Sequence, residues 1–278
     1  IVGIGASAGG LEALERLFHQ MPADTGMAFV VVQHQSPDFD SVMDELLARH
    51  TRIPIHTVED GMELRGNAIY LIPPKKEVIV SGGKLLLAER DPTESLSLPI
   101  NTFFRSLAQE AGPSAIAIVL SGTGSDGSRG VRNIHDAGGL VIAQSEETAK
   151  FDGMPKSAVE TGAVDLVLSP DAMAEALAKF ARHPVRGDLA AQAKAAPVDE
   201  GAMNKLMRLL HEATGIDFSL YKPSTVLRRI ERRLVLNQSD DLDGYVAQVG
   251  SEPDELNSLY RDLLIGVTQF FRDGDAFR

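Results

Sequence analysis

The first ten residues, Ile1-Val2-Gly3-Ile4-Gly5-Ala6-Ser7-Ala8-Gly9-Gly10, constrain the fold more than any other stretch of the chain. A short apolar run is followed by Gly, Ala and Ser, and then by the helical periodicity of Leu11, Leu14 and Leu17. A strand, a tight turn and a helix N-terminus in that order open an α/β sheet, with a serine at the bend. Two chemistries use such a turn. Gly3-x-Gly5-x-x-Ala8 fits the phosphate cradle of a dinucleotide site. Ser7 equally fits a nucleophile at the head of a sheet, where helix N–H groups stabilise an oxyanion.

The runs at 1–4, 27–33, 115–120, 140–143 and 164–168 are rich in Val and Ile and lack polar alternation. Strands buried on both faces of a parallel sheet read this way. Helical patterns at 10–20, 41–49, 100–111, 127–137, 156–161 and 170–181 alternate with them. Shorter strand candidates fall at 68–72, 77–80 and 84–88. Ser81-Gly82-Gly83 joins the last two as a β-hairpin on the edge of the core. After residue 202 only helical patterns remain, at 203–214, 223–236, 242–249 and 253–264. The expected fold class is therefore α/β, a doubly wound and mostly parallel sheet with an edge β-hairpin, followed by a small all-α helical domain. The expected boundaries are 1–183 for the first domain, 184–201 for a linker rich in Ala, Gln, Pro and Asp, and 202–278 for the second.

Composition removes several function classes. The absence of cysteine among the 278 residues excludes disulfides and thiolate catalysis and fits a reducing compartment, with the cytoplasm as the default. A formal charge of −12 argues against nucleic acid as a general partner. No apolar run is long enough for a membrane span. The chain opens inside a strand, which reads as a segment of a longer protein.

A dinucleotide site needs an acid at the end of the second strand to hold the ribose hydroxyl. That strand ends instead in Gln33-His34, which argues against the redox reading and against NAD(P) binding. His34 stands at the sheet edge that carries Ser7. A third candidate follows the run 115–120, where Ser121-Gly122-Thr123-Gly124-Ser125-Asp126-Gly127 makes another glycine-rich turn before a helix. Asp126 there is also a plain helix cap, and His34 alone could bond a loop carbonyl. Together the three put a hydroxyl, an imidazole and a carboxylate on one edge, the set that nucleophilic acyl transfer requires. No metal site is indicated.

Gly3-Ile4-Gly5-Ala6-Ser7-Ala8-Gly9-Gly10, Gln33-His34, Gly122-Thr123-Gly124-Ser125-Asp126-Gly127 and Gly153-Met154-Pro155 resemble the motifs of the chemotaxis protein-glutamate methylesterase (CheB-type) catalytic domain, over roughly residues 1–183. The resemblance implies that Ser7 attacks glutamate γ-methyl esters on a chemoreceptor, with glutamine deamidation as a further activity. It implies His34 as base and then acid, Asp126 as the residue that orients it, and backbone N–H groups of Ala8 and Thr123 as the oxyanion hole. No cofactor is implied for that reaction. Regulated members of the family carry a phosphorylatable receiver domain that is not in view here. Their basic Arg-Pro-Ser-Val-Asp-like segment is replaced by Ser97-Leu98-Pro99-Ile100-Asn101, so partner choice is expected to differ.

A second resemblance covers the later helices. Lys222-Pro223-Ser224-Thr225-Val226-Leu227-Arg228-Arg229-Ile230-Glu231-Arg232-Arg233-Leu234 and Thr268-Gln269-Phe270-Phe271-Arg272-Asp273 look like the N-terminal helical domain of the chemotaxis receptor methyltransferase (CheR type). On a helix, Arg228/Arg232 and Arg229/Arg233 are i,i+4 pairs beside an apolar face of Leu227, Ile230 and Leu234. A basic run of this kind is read as a solvated face; the resemblance implies docking to acidic, methyl-accepting receptor helices. It also implies Thr268 and Arg272 as part of an S-adenosylmethionine site that only the full-length methyltransferase completes, so methyl transfer is not expected of this chain. The expectation overall is a serine esterase in a methylesterase/methyltransferase fusion of signal transduction. The alternative is a non-catalytic module that binds receptors or similar helices without turnover.

Overall fold

The computed structural model describes residues 1–34, 43–89, 98–182, 200–221, 223–237, 239 and 241–264. The chain divides into two units, Ile1–Pro184 and Val185–Arg278.

The first unit is built on a seven-stranded sheet in which every pairing is parallel. Its strands are β1 (Val2–Ala6), β2 (Ala28–Gln33), β3 (Ile55–Thr57), β5 (Ala68–Leu71), β8 (Ile116–Val119), β9 (Leu140–Gln144) and β10 (Leu166–Leu168). They lie in the order β10-β9-β8-β1-β2-β5-β3. The unbroken Val/Ile runs account for this: β1, β8 and β9 are buried along their whole length, so a polar position on either face would be left without water.

Helices cover both faces. Helix α1 (Gly10–Gln20) and α6 (Pro170–Arg182) pack together on one side, joined by an ion pair between Arg16 and Asp171. Phe18 of α1 meets Phe29 of β2 edge to face at 5.4 Å. On the other side lie α3 (Pro99–Ala111), α4 (Ser128–Asp136) and α5 (Gly153–Val159). Ile100, Phe103, Phe104 and Leu107 of α3 are fully buried against Val30, Ala117, Val119 and Val131. Gly3 and Gly5 make that approach possible: a Cβ on Gly3 would fall 2.8 Å from Leu107 and Phe103, and one on Gly5 2.5 Å from Ile100. The two glycines that mimic a nucleotide loop are there for packing of helix on strand.

The β-hairpin is present but is not on the edge of the main sheet. Strands β6 (Lys76–Ser81) and β7 (Lys84–Glu89) pair antiparallel, and β4 (Met62–Glu63) joins β7 to make a separate three-stranded sheet. Val78 and Val80 are buried while Ile79 between them is exposed, the alternation of a sheet with one dry face. That face lies on α3, where Val80 N–H donates to Ser106 Oγ at 3.1 Å. Strands β3 and β4 escaped the sequence reading because three and two residues leave no periodicity to detect. Helix α5 begins at Gly153, ahead of the expected 156, because Pro155 sits in the first turn, where a missing N–H costs no intrahelical bond. Of the helix expected at 41–49, residues 43–49 are described: α2 covers Met43–Leu47, and Ala48 and Arg49 already belong to a turn.

Among its described residues the second unit has helices and no strand: α7 (Glu200–Thr214), α8 (Pro223–Leu236), α9 (Leu242–Ser251) and α10 (Pro253–Leu264). Gly215 at φ 72° ends the first of these, and Asp241 caps α9 by accepting from Gly244 N–H at 2.7 Å. Leu206, Leu210, Phe218, Ile230, Tyr245 and Leu259 form its core.

Candidate active site

The strand order reverses at β1, which has β2 on one side and β8 on the other. A crevice opens at such a point, outside the carboxyl ends of the strands. The turns after β1, β2 and β8 converge there, and they carry Ser7, His34 and Asp126.

The register sets the first two side by side. Ala6 lies opposite Gln33, so Ser7 and His34 take the next step off neighbouring strands, and the His34 N–H donates to Ala6 O at 3.1 Å. Ser7 is half-buried; its N–H donates to Ser121 O at 3.0 Å, which ties the β1 turn to the β8 turn. Gly122 is required by this convergence, since a Cβ there would fall 2.8 Å from Ser7 Cβ and 2.3 Å from Met154 Sδ.

Asp126 is 2% exposed and fully engaged. Its Oδ1 accepts from Asn101 N–H at 3.0 Å and Gly127 N–H at 2.8 Å. Its Oδ2 accepts from Ile100 N–H at 3.0 Å and faces His34 Nε2 at 2.8 Å. Proline at the first position of α3 has no N–H, so Ile100 and Asn101 carry that helix's first free donors, and Asp126 takes both. The cap reading of Asp126 is thus correct for a helix other than the one it precedes. Helix N–H groups and partial positive charge offset the cost of burying the carboxylate.

A carboxylate only accepts, so His34 Nε2 carries the proton and Nδ1 is left basic. Among the described residues no hydrogen bond joins Ser7 Oγ to His34; catalytic contacts are often long before a substrate closes the site. Among those residues the N–H groups of Ala8 and Thr123 also have no hydrogen-bond partner, whereas Gly122 N–H is engaged by Phe151 O at 2.9 Å.

The expected receptor-binding arginines are placed otherwise. Arg229 and Arg232 are buried, at 3% and 4% exposure. Arg233 grips Glu255 of α10 from Nε at 2.8 Å and from Nη2, and Tyr245 of α9 donates to the same carboxylate at 2.7 Å. Asp262 Oδ2 lies 3.9 Å from Nη1 of both Arg232 and Arg233. Burial alone would lower the Arg233 pKa, but the hydrogen bonds and charge of Glu255, with Asp262, raise it above the ordinary arginine value. Arg232 and Arg233 therefore tie α8 to α10, and with Arg229 buried as well these three side chains are not a solvated docking face. The sequence held a signal for it: Glu255 and Asp262 recur seven apart with Leu259 between them, which puts two acids on the buried stripe of α10. The side chain of Arg228, and Thr268 and Arg272, lie outside the described residues, so no step is drawn through S-adenosylmethionine.

Residues 2–177 match the family model of the CheB methylesterase, and residues 202–264 match that of the all-alpha domain of the CheR methyltransferase. The chain belongs to the CheB methylesterase family, with a CheR-type helical domain behind it. A Rhodobacter capsulatus protein described as an uncharacterized 104.1 kDa protein in the hypE 3' region is 42% identical over 255 residues, which cover 84% of this chain and 27% of that protein. A protein-glutamate methylesterase/protein-glutamine glutaminase of Chromobacterium violaceum is 37% identical over 182 residues, 64% of this chain and 50% of that protein. The crystal structure of the Thermotoga maritima CheB methylesterase catalytic domain superposes with a TM-score of 0.59 at 29% identity, over 64% of this chain and 97% of that one. The chain thus spans half the Chromobacterium protein and about a quarter of the Rhodobacter one. Among the described residues no helix is long and apolar enough to cross a membrane, and no group of three or more potential metal ligands is gathered.

Proposed function

We propose that the first unit is a serine esterase that hydrolyses glutamate γ-methyl esters on chemoreceptor-like proteins, and that the same chemistry deamidates glutamine. The observation that carries the reading is the buried Asp126 carboxylate, saturated by three backbone donors and bonded to His34 Nε2, with Ser7 on the adjacent strand end. Ser7 Oγ attacks the ester carbonyl while His34 Nδ1 takes its proton. Asp126 holds the ring in the required tautomer and stabilises the imidazolium without accepting its proton. The oxyanion takes the Ala8 and Thr123 N–H groups, a fixed pair of dipoles that needs no reorganisation as charge develops. His34 then protonates the departing methanol. Water, deprotonated by His34, attacks the acyl-serine and releases glutamate and Ser7. No metal or cofactor enters the sequence.

The test is methanol release from a glutamyl γ-methyl ester peptide. Ser7→Ala lowers kcat by a factor on the order of 10⁶ while the chain stays folded, because one small half-buried side chain changes. Methanol release by Ser7→Ala at the parent rate would sink the mechanism and favour a binding module.

A further inference from the structure

Ser121 is fully buried and takes no part in the proton relay, yet its groups hold three segments together. Its hydroxyl donates to Ala8 O at 2.8 Å and accepts from Phe151 N–H at 3.0 Å. Its carbonyl accepts the Ser7 N–H at 3.0 Å, and its own N–H donates to Gln144 Oε1 at 2.8 Å. Gln144 is also buried, and its Nε2 donates to Thr148 O at 2.9 Å, so the amide that anchors Ser121 is itself fixed. The approach is close enough that a Cβ on Gly9 would lie 2.7 Å from Ser121 Oγ.

A trans peptide is planar, with N–H and C=O pointing opposite ways, so fixing the carbonyl aims the N–H. Ser7 C=O accepts from Gly10 N–H at 2.9 Å, which aims the Ala8 N–H. Gly122 C=O accepts from Met154 N–H at 2.9 Å, which aims the Thr123 N–H. Each plane is fixed within its own turn. Registry between the two turns comes from Ser121, which belongs to the second and grips the first on both sides of Ser7.

We infer that Ser121 is a positioning residue for the oxyanion hole, holding the Ser7–Ala8 turn and the Gly122–Thr123 turn in one geometry. The inference rests on the esterase reading of the site. Without the hydroxyl, Ala8 O loses its donor and Phe151 N–H its acceptor. The two oxyanion donors then no longer stay at a common distance from one oxygen. Preorganised donors lose most of their value when they must be reassembled in each turnover.

The experiment is steady-state hydrolysis of a glutamyl γ-methyl ester peptide by the full chain and by Ser121→Ala. The expected result is a fall in kcat of about ten- to a hundredfold, between a misplaced and a deleted donor. KM and the pH–rate profile stay at the parent values, because the His34–Asp126 pair is untouched. Thermal melting shows whether Ser121→Ala is folded at the assay temperature. If it is not, Ser121→Cys keeps the volume with a weak S–H donor and is read the same way. A folded variant with the parent kcat overturns the inference, as does one whose loss lies in KM or in a displaced pH profile. An inactive parent, or a Ser7→Ala variant as active as the parent, overturns the esterase reading instead.

Discussion

Each unit of this protein buries a carboxylate and satisfies it, and the two do so with opposite partners. Asp126 is held by backbone N–H groups at the start of α3 and by an imidazole. Glu255 is held by the guanidinium of Arg233 and the phenol of Tyr245. A guanidinium does not lose its proton in water, so the Glu255 network is locked and serves only to join helices. An imidazole can both take and give a proton, so the Asp126 network ends in a group that can do work. Helix dipoles neutralise Asp126 without spending a cation, and His34 is left as the variable member. Equal burial therefore teaches little about function; the nature of the partner decides.

The largest effect is expected at Asp126. Asp126→Asn puts an amide N–H against at least one backbone donor and frees the tautomer of His34. Esterase kcat is expected to fall by about 10⁴-fold, and a chemical melt is expected to lose roughly 2–3 kcal/mol from the lost charge-assisted bonds. Retained activity would mean that His34 needs no orienting carboxylate.

Glu255→Gln removes the charge opposite Arg233 and should cost the helical unit about 3 kcal/mol, because a buried guanidinium is left short of its partner. Methanol release by the first unit should not change. A loss of esterase activity with the chain still folded would contradict the division of labour drawn between the two networks.

The smallest effect expected is at Tyr245. Burial first, then the hydrogen bond and charge of Glu255, push its phenol above its ordinary value of 10.0. The folded phenol stays neutral where the unfolded one ionises, so stability present below pH 10 is lost as pH rises beyond it. Tyr245→Phe removes that alkaline loss and costs about 1 kcal/mol at neutral pH for the missing donor. Denaturation midpoints at two pH values measure both.

The parallel sheet was legible because strands buried on both faces must be apolar throughout, as in Ala28–Gln33 and Ile116–Val119. The candidate site was legible only as a set: Ser7, His34 and Asp126 each had a plainer reading, but a parallel sheet brings the three strand ends to one edge. What stayed hidden acts across the chain. Asp126 caps a helix that starts more than twenty residues before it, and no local pattern records that. Ser121 was one residue of a turn until the fold brought Ala8 and Phe151 to its hydroxyl. The arginines of α8 read as a solvated stripe because their acids lie on another helix, and only the spacing of Glu255 and Asp262 hinted at it. Gly3 and Gly5 were ambiguous for a physical reason: a backbone that must approach a helix and one that must approach a phosphate both exclude a Cβ.

The esterase chemistry requires that Ser7 be activated by His34. The direct measurement is the rate at which an organophosphonate labels the chain, with the site located by mass spectrometry, for the parent and for His34→Ala. A single label on Ser7 in the parent and loss of labelling in His34→Ala are expected. Labelling of Ser7 at the same rate in both, or a label on any other residue, would contradict it.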